Sequence, residues 1–179
     1  PFGTDGAVMY FHPAQLGGLY KENRILVNRG YFHMVFHCIF RHFGKPGIEK
    51  RLWNLSCDIA VEHMIDGIYH RSVRYSRSLL RRETYRLLEK EKKTLNAERI
   101  YKILKEEFLK EKELAQLEKE FYVDDHKYWA NQQPDRKPNP LMSKKWGDIS
   151  EGIETDLETF SREAGAQDGD FLDQLKVEN

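Results

Sequence analysis

The sequence lacks long apolar runs and contains little cysteine. No stretch approaches the ~20 consecutive apolar residues that a membrane-spanning helix needs, and no signal peptide opens the chain. The only two cysteines, Cys38 and Cys57, lie in apolar helical patterns, where a buried thiol in a reducing compartment is the ordinary interpretation. These absences argue against a membrane protein and a disulfide-stapled scaffold, and they predict a cytoplasmic protein.

The chain also lacks a net charge, with 29 Lys and Arg against 29 Asp and Glu. A balanced chain has no overall field that would attract nucleic acid or an anionic membrane. The basic bias is local, and several of its arginines share a helical face: Arg71, Arg74, Arg77, Arg81 and Arg82. Because acidic neighbours dilute this charge, we do not expect nucleic-acid binding.

The apolar pattern predicts an α+β domain, mostly α, over residues 1–130. Residues 7–11 predict one strand of a small N-terminal β-hairpin. Helical spacing follows from about residue 21 or 23 to 43, from 48 to 68, and in a charged extension over 71–122. The short connection after residue 43 predicts that the first two long helices are antiparallel neighbours.

The composition changes twice beyond residue 130. Residues 131–145 hold three prolines among polar side chains, which is typical of a linker. Residues 146–179 are acidic, and part of this segment has amphipathic spacing. We therefore predict a linker followed by a partly disordered tail that contains one short helix.

Two histidines stand four residues apart in the first long helix, in the pattern His33-x-x-x-His37. Positions i and i+4 share one helical face, so both imidazoles can reach one metal ion. In the His-Glu-x-x-His pattern of zinc peptidases, a glutamate follows the first histidine and activates water. Here that position is Met34, whose thioether cannot accept a proton from water. The pair predicts half a zinc site without its usual base.

The second long helix offers residues that could complete this site. Asp58 and Glu62 share one face of that helix, opposite the histidine pair. We predict Asp58 as the third metal ligand, and Glu62 either as an alternative ligand or as a replacement for the missing catalytic base. Alternatively, both carboxylates lie on the polar face of the helix or pair with Arg41 or Arg71.

Two further histidines are weaker candidates for direct ligands. His42 lies five residues after His37, a rotation of about 140° on a helix, so we expect it to support a ligating side chain instead. His126 follows Asp124 and Asp125 and is a candidate ligand or supporting residue. Its alternative role is to close a helix end.

Three sequence motifs, in the order in which they occur, resemble those of a known family, and a fourth motif matches that family less closely. They are Thr4-Asp-Gly…Met9-Tyr-Phe-x-Pro13, His33-x-x-x-His37 with His42, Trp53-Asn-Leu-x-x-Asp58 and, loosely, Asp124-Asp-His126…Trp129. Over about residues 3 to 66 the chain resembles the metallopeptidase domain of bacterial proteins that carry a von Willebrand factor A-like domain downstream. The resemblance implies a zincin-like fold, with His33, His37 and Asp58 as zinc ligands. It also implies a protein or peptide substrate or partner, and the von Willebrand factor A-like domain as a further partner.

The chain departs from this family at two positions. Met34 stands where the family has its catalytic glutamate, and Glu62 stands where it has asparagine. One hypothesis is therefore a zinc-dependent peptide hydrolase with Glu62 as a relocated base. A second is a catalytically inactive metal-binding scaffold that acts with the downstream domain. A third has no metal, and its histidines are core residues of a helical interaction domain.

Overall fold

The computed structural model describes residues 2–44, 48–68, 70–89, 95–106, 110–129 and 139–164. Over these residues the chain forms seven α-helices and one two-stranded hairpin, which confirms the predicted α+β, mostly α, class. The elements are β1 (Phe2–Thr4), β2 (Met9–Phe11), α1 (Pro13–Glu22), α2 (Arg24–Ile39), α3 (Lys50–Gly67), α4 (Leu79–Leu88), α5 (Ala97–Glu106), α6 (Glu111–Phe121) and α7 (Pro140–Ala164). Two short 3-10 turns cover His42–Gly44 and His126–Tyr128. Within these ranges no helix combines the length and apolarity needed to cross a bilayer.

The predicted hairpin is confirmed at the amino-terminal end. β1 and β2 pair antiparallel, with Gly3 opposite Tyr10. The connecting turn is held by Asp5, whose Oδ1 accepts hydrogen bonds of 2.9 Å from the backbone N–H groups of Ala7 and Val8. Gly6 takes the left-handed φ of 87° that this tight turn requires. The hairpin turn is therefore stabilised by contacts within the hairpin itself.

Helix α2 carries the histidine pair and is shorter than predicted. Asn23 caps its start, because its Oδ1 accepts a 2.9 Å hydrogen bond from the Ile25 N–H. The helix ends at Ile39 instead of residue 43, since Arg41 adopts a left-handed φ of 53°. Gly30 does not break the helix; the ring of Phe2 lies so close that a Cβ there would be 2.5 Å from a ring carbon.

Helices α2 and α3 run antiparallel, as predicted. Arg29 pairs with Asp66, and one turn later His33 contacts Glu62, so partner numbers fall along α3 as they rise along α2. Helix α3 also contacts α5 and α6, which makes it the central helix of the fold. Carboxylates on α3 consequently face α2 inside the protein rather than the solvent.

Two apolar clusters enclose α3. One lies among α3, α4, α5 and α6 and includes the buried Trp53 and Ile100. The other joins α2 to α3 through Phe36 and Ile65, with Trp146 of α7 packed against it. Both cysteines are free and buried, as the sequence predicts. Polar side chains on the inner faces of α2 and α3 are therefore cut off from water on most sides.

Helix α7 starts inside the segment predicted as a linker. It begins at Pro140 and runs for 25 residues, so the one predicted short helix is longer and starts earlier. The physical reason is local, because Pro140 suits a first helical position and Asn139 Oδ1 accepts a 3.1 Å hydrogen bond from Leu141 N–H. Residues 131–138 and 165–179, which are parts of the predicted linker and of the predicted tail, lie outside the described residues.

Candidate metal centre

Five buried side chains meet at one point between α2, α3 and the segment that follows α6. They are His33, His37, Asp58, Asp124 and His126. Each offers one ligand atom, and these five atoms all lie within 4.8 Å of one another. A set of three imidazoles and two carboxylates is chemically suited to a divalent metal ion.

The three ligands predicted from the sequence are brought together by the antiparallel helix pair. His33 and His37 stand one turn apart on α2, and their Nε2 atoms are 2.8 Å apart. Asp58 reaches them from α3, with Oδ1 at 3.2 Å from His33 Nε2 and 3.3 Å from His37 Nε2. The i, i+4 spacing thus points both imidazoles at the same carboxylate.

The other two ligands come from residues 122–129, which follow the end of α6. His126 Nε2 lies 3.0 Å from Asp58 Oδ1 and 2.9 Å from Asp124 Oδ1. The segment is anchored to β1, because the Asp125 N–H donates a 2.8 Å hydrogen bond to Phe2 O. Trp129 stacks on the His126 ring with a centroid distance of 3.8 Å. The hairpin and Trp129 therefore hold this segment against the helix pair.

Two properties of the donor atoms fit a metal ion: the distances between them and their unsatisfied hydrogen-bonding capacity. Ligand bonds of 2.0–2.2 Å place neighbouring donors roughly 3 to 3.6 Å apart, and the close pairs among the five donor atoms are 2.8 Å to 3.8 Å apart. Both carboxylate oxygens of Asp124 and the Nε2 atom of His126 are buried and lack a hydrogen bond of good geometry among the described residues, although His126 Nε2 lies 2.9 Å from Asp124 Oδ1. Since buried polar atoms nearly always have a well-placed partner, these atoms fit a site that could hold a cation.

The charge of the centre leads to the same conclusion. Asp58 and Asp124 are both buried, and their close polar contacts within the described chain are the three histidines. Burial lowers the pKa of His126, but the charges of Asp58 and Asp124 outweigh it and raise that pKa to about 10. Contacts with the Asp124 and Asp58 carboxylates similarly overcome burial and raise the pKa of His33 well above its usual value. The two buried negative charges are thus balanced by two protonated imidazoles, and a divalent ion carries the charge needed to replace those two protons.

Glu62 lies behind the centre and outside the donor group. Its Oε1 is 2.9 Å from Nδ1 of His33, the ring nitrogen that does not face the other donors. Its Oε2 accepts hydrogen bonds from Arg29 and, at 2.6 Å, from Arg81. Burial raises the pKa of Glu62, but the His33 hydrogen bond and the two arginines outweigh it and bring that pKa to about 2. Glu62 is therefore a charged carboxylate that orients His33 and leaves its Nε2 free for an ion.

His42 also lies outside the donor group and contacts a member of it. Its Nδ1 is 2.8 Å from Nδ1 of His37. The rotation of about 140° expected from helical geometry does not apply, because α2 has already ended and Arg41 turns the chain back. The Nε1–H of Trp53 donates a 3.2 Å hydrogen bond to His42 O and helps to fix the residue.

The centre approaches solvent through one of the cavities that the described residues form. A cavity of about 400 Å³ is lined by Asp58, Asp124 and His126, together with Arg51 and Lys127. The side chain of Asp58 is 10% exposed, whereas those of Asp124 and His33 are fully buried. A small molecule that reached the metal would arrive through this cavity.

Sequence reasoning did not select Asp124 as a ligand. The available signal was the Asp124-x-His126 spacing, which offers a carboxylate and an imidazole within one turn of chain. Such a pair does not by itself indicate a metal site, because the sequence does not show how far it lies from His33 and His37. No protein-family model, curated protein or solved structure matches the chain.

Proposed function

We propose that this protein is a metal-binding module in which a divalent ion, zinc as the first candidate, ties residues 122–129 to α2 and α3. One observation carries the proposal: Asp124 and His126 bury unsatisfied ligand atoms beside His33, His37 and Asp58. Imidazole and carboxylate donors suit zinc among the first-row metals. The ion would supply two positive charges to a site that otherwise holds two buried carboxylates.

The same geometry favours an inactive scaffold over a peptidase. Catalytic zinc sites usually keep three protein ligands and an open position for water, whereas closed sites are structural. Here five donors converge, and Glu62 is committed to His33 and two arginines. Met34 is only 3% exposed and belongs to the apolar core. Neither residue therefore offers a base at the ion.

The partner class follows from the sequence motifs. We propose that the module acts on or with a protein or peptide, and that a von Willebrand factor A-like domain downstream is the first candidate. The support is the order of the Thr4, His33 and Trp53 motifs along the chain. Co-purification of the module with such a domain tests this part separately from metal content.

A second candidate function is hydrolysis, and one observation favours it. The 400 Å³ cavity reaches Asp58, Asp124 and His126, so a substrate has a route to the centre. In this hypothesis Asp58, the more exposed of the two ligating carboxylates, would accept a proton from water instead of binding the ion.

Metal content and turnover separate the two candidates. Protein purified without a metal-affinity column should contain about one equivalent of zinc by elemental analysis, and content far below that would reject both. The zinc-loaded protein should leave a mixed peptide library uncleaved. Both variants are assayed at a zinc concentration that gives them the metal content of the parent chain. Cleavage that is then lost in Asp58→Asn but kept in Glu62→Gln would establish the hydrolase with Asp58 as its base, and cleavage lost in zinc-loaded Glu62→Gln would restore Glu62 as the base.

A further inference from the structure

A second cavity, of about 570 Å³, lies beside Glu62 and shares none of its lining with the five donor residues. Its apolar wall is formed by Phe2, Leu19 and Leu26. The polar part of its lining includes Arg29, Arg77, Arg81, Glu62, Asp66 and Glu120. We call this cavity the Arg77 cleft. Its two kinds of wall are typical of a site for a ligand with an apolar body and a polar head.

Two of the three arginines in the Arg77 cleft are held by buried carboxylate and backbone oxygens. Arg81 donates from Nε to Glu120 Oε1, from Nη1 to Glu62 Oε2 and from Nη2 to Glu120 O. Arg29 donates to Val73 O and pairs with Glu62 and Asp66. Because these guanidinium groups would have to abandon buried partners, they are not available to a ligand.

Arg77 differs from the other two arginines. Its side chain is 39% exposed, and its Nη2 donates a 2.6 Å hydrogen bond to a backbone oxygen, Asp66 O. Its closest carboxylate contact in the described chain is from Nε to Asp66 Oδ2 at 3.6 Å, too long for a hydrogen bond. Ser76 and Ser78 line the cleft on either side of it. Among the described residues that line the cleft, Arg77 is thus the arginine without a carboxylate at hydrogen-bond distance, and Ser76 and Ser78 are its neighbours in the chain.

We propose that the Arg77 cleft binds a monoanionic carboxylate attached to an apolar body. Arg77, with the hydroxyl of Ser76, takes the carboxylate, and the wall of Phe2, Leu19 and Leu26 takes the apolar part. A singly charged head fits better than a doubly charged phosphate, because three carboxylates also line the cleft. A free carboxylic acid and the C-terminal carboxylate of a polypeptide share this chemistry.

Calorimetry on the 179-residue chain tests the site with N-acetyl-leucine and its uncharged amide. We expect the carboxylate to bind at least about tenfold more tightly than the amide, because only the carboxylate forms a hydrogen bond with Arg77 in which both partners are charged. Arg77→Gln should remove that preference, whereas Arg82→Gln, an exposed neighbour outside the cleft, should keep it. Both arginines are partly or fully exposed, so these variants should fold.

Two further measurements locate the ligand and identify its source. In NMR spectra the amide signals of residues 76–78 should shift on addition of N-acetyl-leucine, while those of 124–126 stay. If a pentapeptide with a C-terminal leucine carboxylate binds more tightly than octanoate, the natural ligand is a polypeptide C-terminus. If octanoate binds more tightly than the pentapeptide, the natural ligand is a free carboxylic acid. The proposal would be overturned if the carboxylate and the amide bound with equal affinity, or if neither bound at millimolar concentration. It would also be overturned by NMR shifts confined to residues 124–126, or by an unchanged preference for the carboxylate in Arg77→Gln.

Discussion

Nδ1 of His33 lies 2.9 Å from Oε1 of Glu62, while Nε2 of the same ring lies 3.2 Å from Oδ1 of Asp58. One imidazole therefore bridges the donor group and a carboxylate that is held from behind by two arginines. A carboxylate in this position fixes the ring orientation and strengthens the imidazole as a ligand. Glu62 thus acts through His33, and its replacement should change metal affinity rather than a proton-transfer step.

Glu62→Gln should lower zinc affinity by about 10- to 100-fold. The amide is a weaker acceptor for the His33 N–H, and Arg29 and Arg81 lose a charged partner. Competition with a chromogenic chelator measures the affinity. Glu83→Gln, on the exposed side of α4, is the matched control and should bind zinc like the parent chain. Unchanged affinity in Glu62→Gln would contradict the role of this residue.

Asp124→Asn should abolish stoichiometric zinc binding, whereas Asp125→Asn should keep it. Asp124 presents two buried, unsatisfied oxygens to the centre. Asp125 instead accepts a 3.0 Å hydrogen bond from the Lys127 N–H, which an asparagine oxygen can also accept. Elemental analysis of the two purified variants gives the answer. The same zinc content in both would mean that Asp124 is not a ligand.

Removal of the metal should loosen residues 122–129 more than the rest of the fold. Asp124 and His126 would then lose the ion that they share with α2 and α3, while α5 keeps its apolar contacts with α3. Hydrogen exchange with and without a chelator should show faster exchange at 122–129 and little change in α5. At a free zinc concentration of 100 times Kd, the metal contributes about 2.7 kcal/mol to stability, so the melting temperature should fall on chelation. A uniform change over the whole chain would argue against a local clamp.

Met34→Glu should destabilise the fold rather than restore a peptidase. Met34 is 3% exposed, and a carboxylate there would be buried among apolar side chains without a partner. Met34→Leu conserves volume and should cost less than about 1.5 kcal/mol. Urea unfolding of both variants tests the difference. A stable Met34→Glu protein that cleaves peptides would show that the position still faces the ion.

Stability should fall at alkaline pH because of Tyr85. Burial raises the pKa of this tyrosine, and the nearby charge of Asp66, which accepts its 2.9 Å hydrogen bond, raises it further. The hydroxyl thus stays protonated in the folded state but ionises in the unfolded chain near pH 10. The stabilisation is complete below that pH and is lost above it, by up to about 1.4 kcal/mol per pH unit.

Urea unfolding at pH 9 and pH 11 measures this dependence. Tyr85→Phe should be less stable than the parent chain at pH 9 but should lose less stability between the two values. Tyr20→Phe, at a side chain that is 61% exposed, should keep the slope of the parent chain. Equal slopes in all three proteins would show that Tyr85 ionises as freely in the folded state as in the unfolded one.

Local periodicity allowed several features to be predicted from the sequence. The placement of His33 and His37 on one face of a helix depends only on 3.6 residues per turn. The start of α2 near residue 23 and the hairpin turn follow from similarly short-range rules. The third donor, Asp58, was predicted because a short connection makes the two long helices antiparallel neighbours.

Tertiary structure alone decided the rest of the centre. Asp124 and His126 stand more than 60 residues beyond Asp58, and they reach it only because β1 and Trp129 position their segment. The arginines that hold Glu62 come from α2 and α4, and nothing in the spacing of the chain selects them over Arg41 or Arg71. The sequence by itself determined which side chains share a helical face. The packing of separate elements determined which faces meet, since contacts between distant segments depend on the summed burial of the whole core rather than on any local repeat.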